Sequence, residues 1–405
     1  MPWIPSSLMD QRFIFIAACL RREAPIGEVC ARYGISRKTG YKWLKRYEAD
    51  GAAGLRNMST ARHTQTQTIA PAIAARLIVL RRARPTWGPR KLLARLAMDD
   101  VAAGAAATTW PAASTVGDLL RREDLTRPRP RRVHVAGTKP ALTEPDAPNQ
   151  SWAMDFKGWF RTGDGARCEP LTVTDGFSRY LITCKAMPQI TGAYVQSELI
   201  AAFQTYGMPC ALRSDNGNPF ASAGGLAGLT QLSVWLLTLN IWPDRIDPGR
   251  PDQNGAHERM HRVLDEDAAS PPAATIAAQQ QRLDVWRADY NSYRPHGALG
   301  QRCPASVYAP SPRAYPERVA AWEYPADHQT RRVGSKGYIK WRDSEIYLTE
   351  AMRGQVVALA QTDDGDWAVR FRQFTLAMLS DATNTIRPAR LSRTAAPDGG
   401  PPDAA

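Results

Sequence analysis

Trp152-Ala153-Met154-Asp155-Phe156, Arg213-Ser214-Asp215-Asn216-Gly217 and His257-Glu258-Arg259 decide how this 405-residue chain is read. The first stretch sets an acid inside a strand pattern, between Met154 and Phe156, where a carboxylate needs a partner. The second sets Asp215 just past a predicted buried strand, Cys210 to Arg213, where the chain leaves its sheet and ligands commonly bind. The third sets Glu258 one turn into a predicted helix, Gln253 to Asp267, opened by Pro251-Asp252-Gln253-Asn254-Gly255. Two carboxylates roughly 4 Å apart repel by about 4 kcal/mol at an effective dielectric near 20, so three gathered acids require cations. Oxygen-only ligands select Mg²⁺ or Mn²⁺ over zinc, and two ions about 3.5 to 4 Å apart suit phosphoryl transfer. A lone Asp at a strand end is more often a turn former, so the joint pattern carries the weight.

Further blocks surround these acids: Thr174-Asp175-Gly176-Phe177-Ser178-Arg179-Tyr180, Pro219-Phe220, Pro251 to Arg259, and Tyr290-Asn291-Ser292-Tyr293-Arg294-Pro295-His296. With them the chain resembles the DDE insertion-sequence transposases of the retroviral-integrase superfamily. The resemblance implies an RNase H-like α/β core and assigns Asp155, Asp215 and Glu258 as a catalytic, metal-binding triad for two Mg²⁺ or Mn²⁺ ions. It implies cleavage at transposon ends and transfer of the freed 3′-hydroxyl into target DNA. The partners implied are terminal inverted repeats, target DNA and further copies of the chain, at least a dimer on DNA. A bacterial, nucleoid-associated setting goes with it. Two departures stand out. Forty-two residues separate Asp215 from Glu258, more than is usual in the family, which predicts an insertion around Ala221 to Leu229 that extends a loop. Asp265 stands where similar enzymes commonly carry a Lys.

The core is expected over residues 151–310, as three strands (Trp152 to Phe160, Pro170 to Thr174, Tyr180 to Ala186), a helix from Thr191 to Tyr206, the Cys210 strand, and helices at about Gly225 to Leu239, Gln253 to Asp267 and Ala274 to Tyr290. Ahead of it, residues 1–60 read as a helix-turn-helix domain. Phe13, Ile16, Ala17 and Leu20 fall at helical spacing, Gly34 supplies a turn, and Ser36 caps a helix from Arg37 to about Glu48. Ile35 and Leu44 are its predicted core contacts. Arg37 and Lys38 crowd that helix's first turn, where the dipole disfavours cations, so an anion is expected there; Arg37, Lys38, Thr39 and Lys42 are the candidate base and phosphate readers. Residues 70–127 read as a second helical DNA-binding domain, with Arg90 and Lys91 as contacts, Trp87 and Trp110 as packing residues, and Ser114 or Thr115 as a cap. Residues 128–150 form a basic, Pro-rich linker in which Arg129, Arg131 and Arg132 are candidates for DNA. Asn216 and Arg259, beside the triad, complete that set. After the core, residues 328–385 predict a small β-barrel with a hairpin at Asp364-Gly365, and residues 393–405 a disordered tail.

Charge supports this layout. Residues 1–140 carry 25 Lys and Arg against 10 Asp and Glu, while the remainder carries 27 against 29, so the whole net +13 lies at the front. Such asymmetry marks a polyanion-binding surface. Six scattered cysteines without a Cys-x-x-Cys pair fit a reducing compartment, and the apolar run Phe13 to Leu20 is too short for a membrane span; the cytoplasm is the expected location.

Several rivals stay open at this point. Asp175 competes for the first acidic position. His257 and His261 lie four apart on the Glu258 helix but lack the His-Glu-x-x-His order of a zinc protease. His63, His134, Cys19 and Cys30 make no integrase-type zinc finger. A catalytically inactive or domesticated DNA-binding regulator, and a nuclease that cuts without joining, are the competing functions.

Overall fold

The computed structural model describes residues 8–57, 69–126, 145–222, 226–247 and 250–393. Two compact units divide the chain, residues 1–68 and 69–405.

In the first unit, helices α1 (Leu8–Leu20), α2 (Ile26–Arg32) and α3 (Arg37–Asp50) are followed by a 3₁₀ turn, Gly51–Leu55. Phe15, Ile16, Ala18, Val29, Cys30 and Leu55 form their core. The expected buried face of α1 is therefore rotated: Ile16 is inside, but Phe13 and Leu20 are exposed and Phe15 and Ala18 take their places. A run apolar on every side gives periodicity little to discriminate. The turn follows its expected chemistry. Gly34 has φ +63°, and Ser36 Oγ accepts the Thr39 N–H at 3.2 Å as the N-cap of α3. Ile35 and Leu44 pack against the core as expected. Gly40 lets α3 approach α2, because a Cβ there would lie 2.4 Å from Cys30 Sγ.

The second unit begins with α4 (Pro71–Ala83), α5 (Pro89–Ala102) and α6 (Ala113–Arg122). Trp87 is buried among Leu77, Leu92, Leu96, Val116 and Leu120, so it is a core residue. Helix α6 starts at Ala113 with Ala112 at its N-cap, so Ser114 and Thr115 lie inside the first turn instead of capping it. Polar contacts tie this helical module to residues 267–294. Arg84 pairs with Asp289, Arg95 Nη1 donates to Tyr293 O at 3.2 Å, and the buried Arg294 guanidinium lies over Trp87 and pairs with Asp267 at 3.0 Å.

Strands β1 (Ser151–Phe156), β2 (Phe160–Arg161), β3 (Arg167–Asp175) and β4 (Leu181–Met187) lead into α7 (Gly192–Tyr206), β5 (Ala211–Ser214), α8 (Gln231–Thr238), β6 (Trp242–Arg245), α9 (Gly255–Leu264) and α10 (Ile276–Ser292). The mixed sheet runs β4-β3-β1-β5-β6, antiparallel from β4 to β1 and parallel from β1 to β6, with β2 also paired to β3. Trp152, Met154 and Val173 bury one face under Val195, Leu199 and Phe203 of α7 and Leu232 and Leu236 of α8. The opposite face receives α9 and α10, whose Met260, Leu264, Leu283 and Trp286 pack with Leu181 and Cys184. Strand β6 departs from expectation, since Trp242-Pro243-Asp244-Arg245 lacks an apolar alternation; as an edge strand it tolerates its Pro.

The C-terminal region holds β7 (Gln329–Arg332), β8 (Tyr338–Trp341), β9 (Ser344–Tyr347), β10 (Val356–Gln361), β11 (Trp367–Phe371), β12 (Phe374–Leu379) and β13 (Ile386–Arg393). It forms a five-stranded antiparallel sheet, β13-β12-β11-β10-β7, and a β8-β9 hairpin. The expected Asp364-Gly365 turn joins β10 to β11, with Gly365 at φ +86°. Closure of the expected barrel is not shown: β13 and β7 are the edges of the sheet among the described strands.

The expected loop insertion has another role. Among its described residues, Leu226 and Leu229 are buried with Val234 and Leu237 of α8 against Val333, Trp341, Phe371 and Phe374, and the Trp242 ring lies 5.7 Å from that of Phe374. The predicted helix from Gly225 accordingly breaks into a short 3₁₀ turn and α8, which starts behind a Thr230–Ser233 capping box. The extra residues make the joint between core and C-terminal sheet.

Since a methyl group at Gly40 must push Cys30 Sγ aside, Gly40→Ala is expected to destabilise the first unit by about 1–3 kcal/mol. Thermal unfolding of the full chain should show an earlier transition for that unit and weaker DNA binding in parallel; an unchanged profile contradicts the close approach.

Candidate catalytic centre and DNA contacts

Strand register brings the first two acids together. Ala153 of β1 lies beside Arg213 of β5 in parallel pairing, and Asp155 and Asp215 each stand two residues further along. Both carboxylates therefore share the face of the sheet that receives α9, at the ends where β1 and β5 finish. Helix α9 crosses this face and carries Glu258 in its first turn.

Asp155 registers the crowding. Burial, then the charge of Asp215, and more weakly that of Glu258, push its carboxyl up to about 7, against one opposing hydrogen bond from the Phe156 N–H at 2.8 Å. Asn254 Nδ2 donates to Asp155 Oδ2 at 3.3 Å, one helical turn ahead of Glu258 on the same face. Asp215 Oδ1 accepts the Gly217 N–H at 3.1 Å, while the amide of Asn216 is spent on Ile246 O at 2.7 Å. Glu258 and Arg259 are exposed, and Arg259 Nε donates to Gly255 O at 3.1 Å. Among the described residues no three acidic, imidazole or thiol groups stand close enough to enclose an ion as placed. The donor set nonetheless fits a hard divalent cation: oxygens only and mutually repelling, with burial and the neighbouring acids raising the Asp155 carboxyl.

The rivals separate on geometry. Asp175 pairs with Trp152 across β1 and β3, on the face opposite Asp155, and is fully buried. Its oxygens are consumed by the Asn149 N–H at 2.7 Å and by Ser178 N–H and hydroxyl at 2.8 and 2.6 Å, a structural role. His257 and His261 turn toward the sheet, where their ring nitrogens are taken up by Thr172 and Thr174. Burial holds His257 well below the ordinary imidazole range and brings His261 down to about 4.

Asp265, the departure from the family pattern, forms an ion pair of 2.7 Å with Lys157, two residues past Asp155. Sequence reasoning misses Lys157 and Asn254 as site residues, although Asn254 lies one turn of helix from Glu258 in number and that spacing is a usable signal.

Of the candidate DNA contacts, Arg37, Lys38 and Lys42 are exposed on α3. Thr39 is half-buried, and its hydroxyl lies 2.9 Å from Ser36 Oγ within the cap. Lys42 flanks the Trp43 ring together with Arg12 and Arg46. Arg90 is exposed. Lys91 is half-buried, and burial and the neighbouring Arg294 bring its ammonium down to about 8. Arg129, Arg131 and Arg132 lie outside the described residues, as does most of the 128–150 linker and the tail from residue 394. No helix among the described residues is long and apolar enough to cross a membrane.

A mixed α/β sheet with paired acids at adjacent strand ends, following helix-turn-helix elements in the chain, is a core of the integrase type. The family described as integrase core domain matches residues 145–251 and, in a second form, 239–304; a homeodomain-like domain matches 39–120 and a helix-turn-helix domain 11–63. The 31.7 kDa protein of insertion element IS407 from Burkholderia multivorans is 30% identical over 253 residues, which is 62% of this chain and 85% of that one. The 39.2 kDa protein of insertion element IS476 from Xanthomonas euvesicatoria is 29% identical over 283 residues, covering 69% and 76%. Among solved structures, the HTLV-2 integrase catalytic core domain in complex with magnesium overlaps 40% of this chain and 98% of its own, at 14% identity and a TM-score of 0.32. The chain belongs to the insertion-sequence transposases of the integrase superfamily.

Because the folded state raises the Asp155 pKa, metal-free stability attached to this group is fully present below about pH 4 and is lost as pH rises through about 7. Asp155→Asn should then raise the melting temperature of metal-free protein at pH 8, by on the order of 1–3 kcal/mol of stability. Mg²⁺ should stabilise the wild type more at pH 8 than at pH 6, because protons compete for the same oxygens. Equal Mg²⁺ shifts at both pH values would contradict the cluster.

Proposed function

We propose that this transposase cleaves the ends of its element and joins the freed 3′-hydroxyls to target DNA, with Asp155, Asp215 and Glu258 as the acids that hold Mg²⁺ or Mn²⁺. The observation that carries the reading is the parallel β1–β5 register, which sets Asp155 beside Asp215 under the helix bearing Glu258. Two divalent ions bound there would polarise the phosphoryl oxygens and stabilise charge on the attacking and leaving oxygens. The chain's own work is positional. Asn254 holds Asp155 Oδ2 in orientation, Gly217 N–H holds Asp215 Oδ1, and the Lys157–Asp265 pair borders the site. Arg259, exposed next to Glu258, is placed to contact a DNA phosphate.

In the first reaction, water oxygen attacks the end phosphorus in line, its proton passes to solvent, and the strand's 3′-oxygen leaves as a hydroxyl. In the second, that hydroxyl attacks a target phosphorus and a target 3′-oxygen leaves, so one phosphodiester bond forms as one breaks. No covalent enzyme intermediate is needed.

Arg37, Lys38, Thr39 and Lys42 are assigned to terminal-repeat recognition in a major groove, with Arg90, Lys91, Arg129, Arg131, Arg132 and Asn216 as further backbone contacts. Joining two ends calls for at least a dimer on DNA. Domesticated regulators would bind such ends without cutting them, and a nuclease would cut without joining.

Asp155→Asn, Asp215→Asn and Glu258→Gln are each expected to abolish cleavage and joining of end-containing DNA in Mg²⁺ while end binding persists. Undiminished joining by any variant removes that residue from the site, and wild-type protein that binds ends without cutting supports the regulator. With six to ten phosphate contacts, affinity for DNA should fall about 10³- to 10⁵-fold between roughly 50 and 200 mM salt. A flat salt response would show that the basic front is not a DNA surface.

A further inference from the structure

Between the sheet and α9, on the face that carries Asp155, four side chains share a set of hydrogen bonds that no part of the reaction uses directly. Asp155 and Thr172 face each other across β1 and β3. Thr172 Oγ1 donates to Asp155 O at 3.1 Å and lies 2.6 Å from His257 Nε2 and 2.7 Å from His261 Nε2. Thr174 Oγ1 lies 3.0 Å from His257 Nδ1. Thr172 is fully buried, and His257 and Thr174 are nearly so.

The proton count fixes the directions. A hydroxyl has one proton and two lone pairs, and the Asp155 carbonyl can only accept. Once Thr172 spends its proton there, both imidazole Nε2 atoms must donate to it. With its ring neutral, His257 is then the Nε2–H form, its Nδ1 is bare, and Thr174 donates to it. Every close contact is satisfied by this one arrangement.

We propose that Thr172 is the hub of a clasp, with Thr174, His257 and His261, that positions Glu258 against Asp155 for the reaction. His257 and His261 are one turn apart on α9 and grip the same hydroxyl, which fixes both the rotation and the axial register of the helix on β3. Glu258 follows His257 directly, and Asn254 sits one turn earlier, so their approach to Asp155 is set by this grip. A slip of α9 by one residue would break three bonds to the histidines and carry Glu258 around the helix by about 100°. The same hydroxyl touches the Asp155 backbone, so both acids are referred to one buried atom. These four are positioning residues.

This inference rests on the transposase chemistry proposed above, and the experiment separates the two. Full-length Thr172→Val keeps the shape and removes the hydroxyl; Thr172→Ser keeps the hydroxyl. On DNA carrying an element end, Thr172→Val should lower the single-turnover cleavage rate by about 10- to 100-fold and raise the Mg²⁺ concentration for half-maximal rate, with end binding unchanged. Thr172→Ser should restore both. A purely structural role would lower the rate only in proportion to folded protein, leaving the Mg²⁺ dependence as in wild type, and that result overturns the clasp. So does a serine variant as impaired as the valine one. Imidazole ¹⁵N spectra of the wild type provide a second measurement that needs no variant to fold and no DNA to be cut. His257 must show a protonated Nε2 and a bare Nδ1; the reverse tautomer or an imidazolium overturns the proposal. If the wild type cuts no DNA in Mg²⁺, the functional reading fails while the spectra still decide the clasp.

Discussion

Repulsion between carboxylates is the constraint around which this molecule is organised. A sheet in which β1 and β5 run parallel, with Ala153 beside Arg213, forces Asp155 and Asp215 to neighbouring positions at the strand ends. Burial of Asp155 then removes the water that would otherwise screen the pair, and its carboxyl rises to about 7. A fold that served stability alone would place an apolar residue or a partner cation there. Lys157, two residues along the chain, is instead bound by Asp265 at 2.7 Å and leaves the acids uncompensated. Repulsion of this kind, retained at strand ends under a helix that brings a third acid, is what the metal-binding role proposed for these residues accounts for.

The rest of the second unit holds that arrangement in place. α7 and α8 bury the face bearing Trp152 and Met154, while α9 and α10 cover the face bearing the acids. The α4–α6 module is tied to α10 and the residues just after it through Arg84–Asp289, Arg95–Tyr293 and the Trp87 ring under Arg294, which itself pairs with Asp267 beyond α9. The C-terminal sheet is fastened by Leu226 and Leu229. Residues that lengthen the span between Asp215 and Glu258 thus contribute a hydrophobic joint.

Much of this can be read in the residues themselves, for physical reasons that also explain the failures. Asp155 is visible because a carboxylate inside a strand pattern, between Met154 and Phe156, needs a partner, and Ser36 because cap chemistry is local. The turn at Gly34 and the hairpin at Gly365 need positive φ, which only a few residue types supply readily. Features set by distant partners are not legible. Phe13 and Phe15 are equally apolar, and only packing decides which is buried. Pro243 and Asp244 disguise β6, whose pairing depends on β5. The strands from Phe374 onward, and the order in which the C-terminal strands pair, depend on long-range contacts. Thr172 carries no local mark at all; its role comes from two histidines some 85 and 89 residues away.

Locating a divalent ion is the most direct test of the account. Anomalous diffraction from crystals grown or soaked with Mn²⁺ should show density within ligand distance of Asp155 and Asp215, with Glu258 turned in to join them. Density elsewhere in the chain, or a protein that joins DNA while these three side chains remain apart and metal-free, would contradict it.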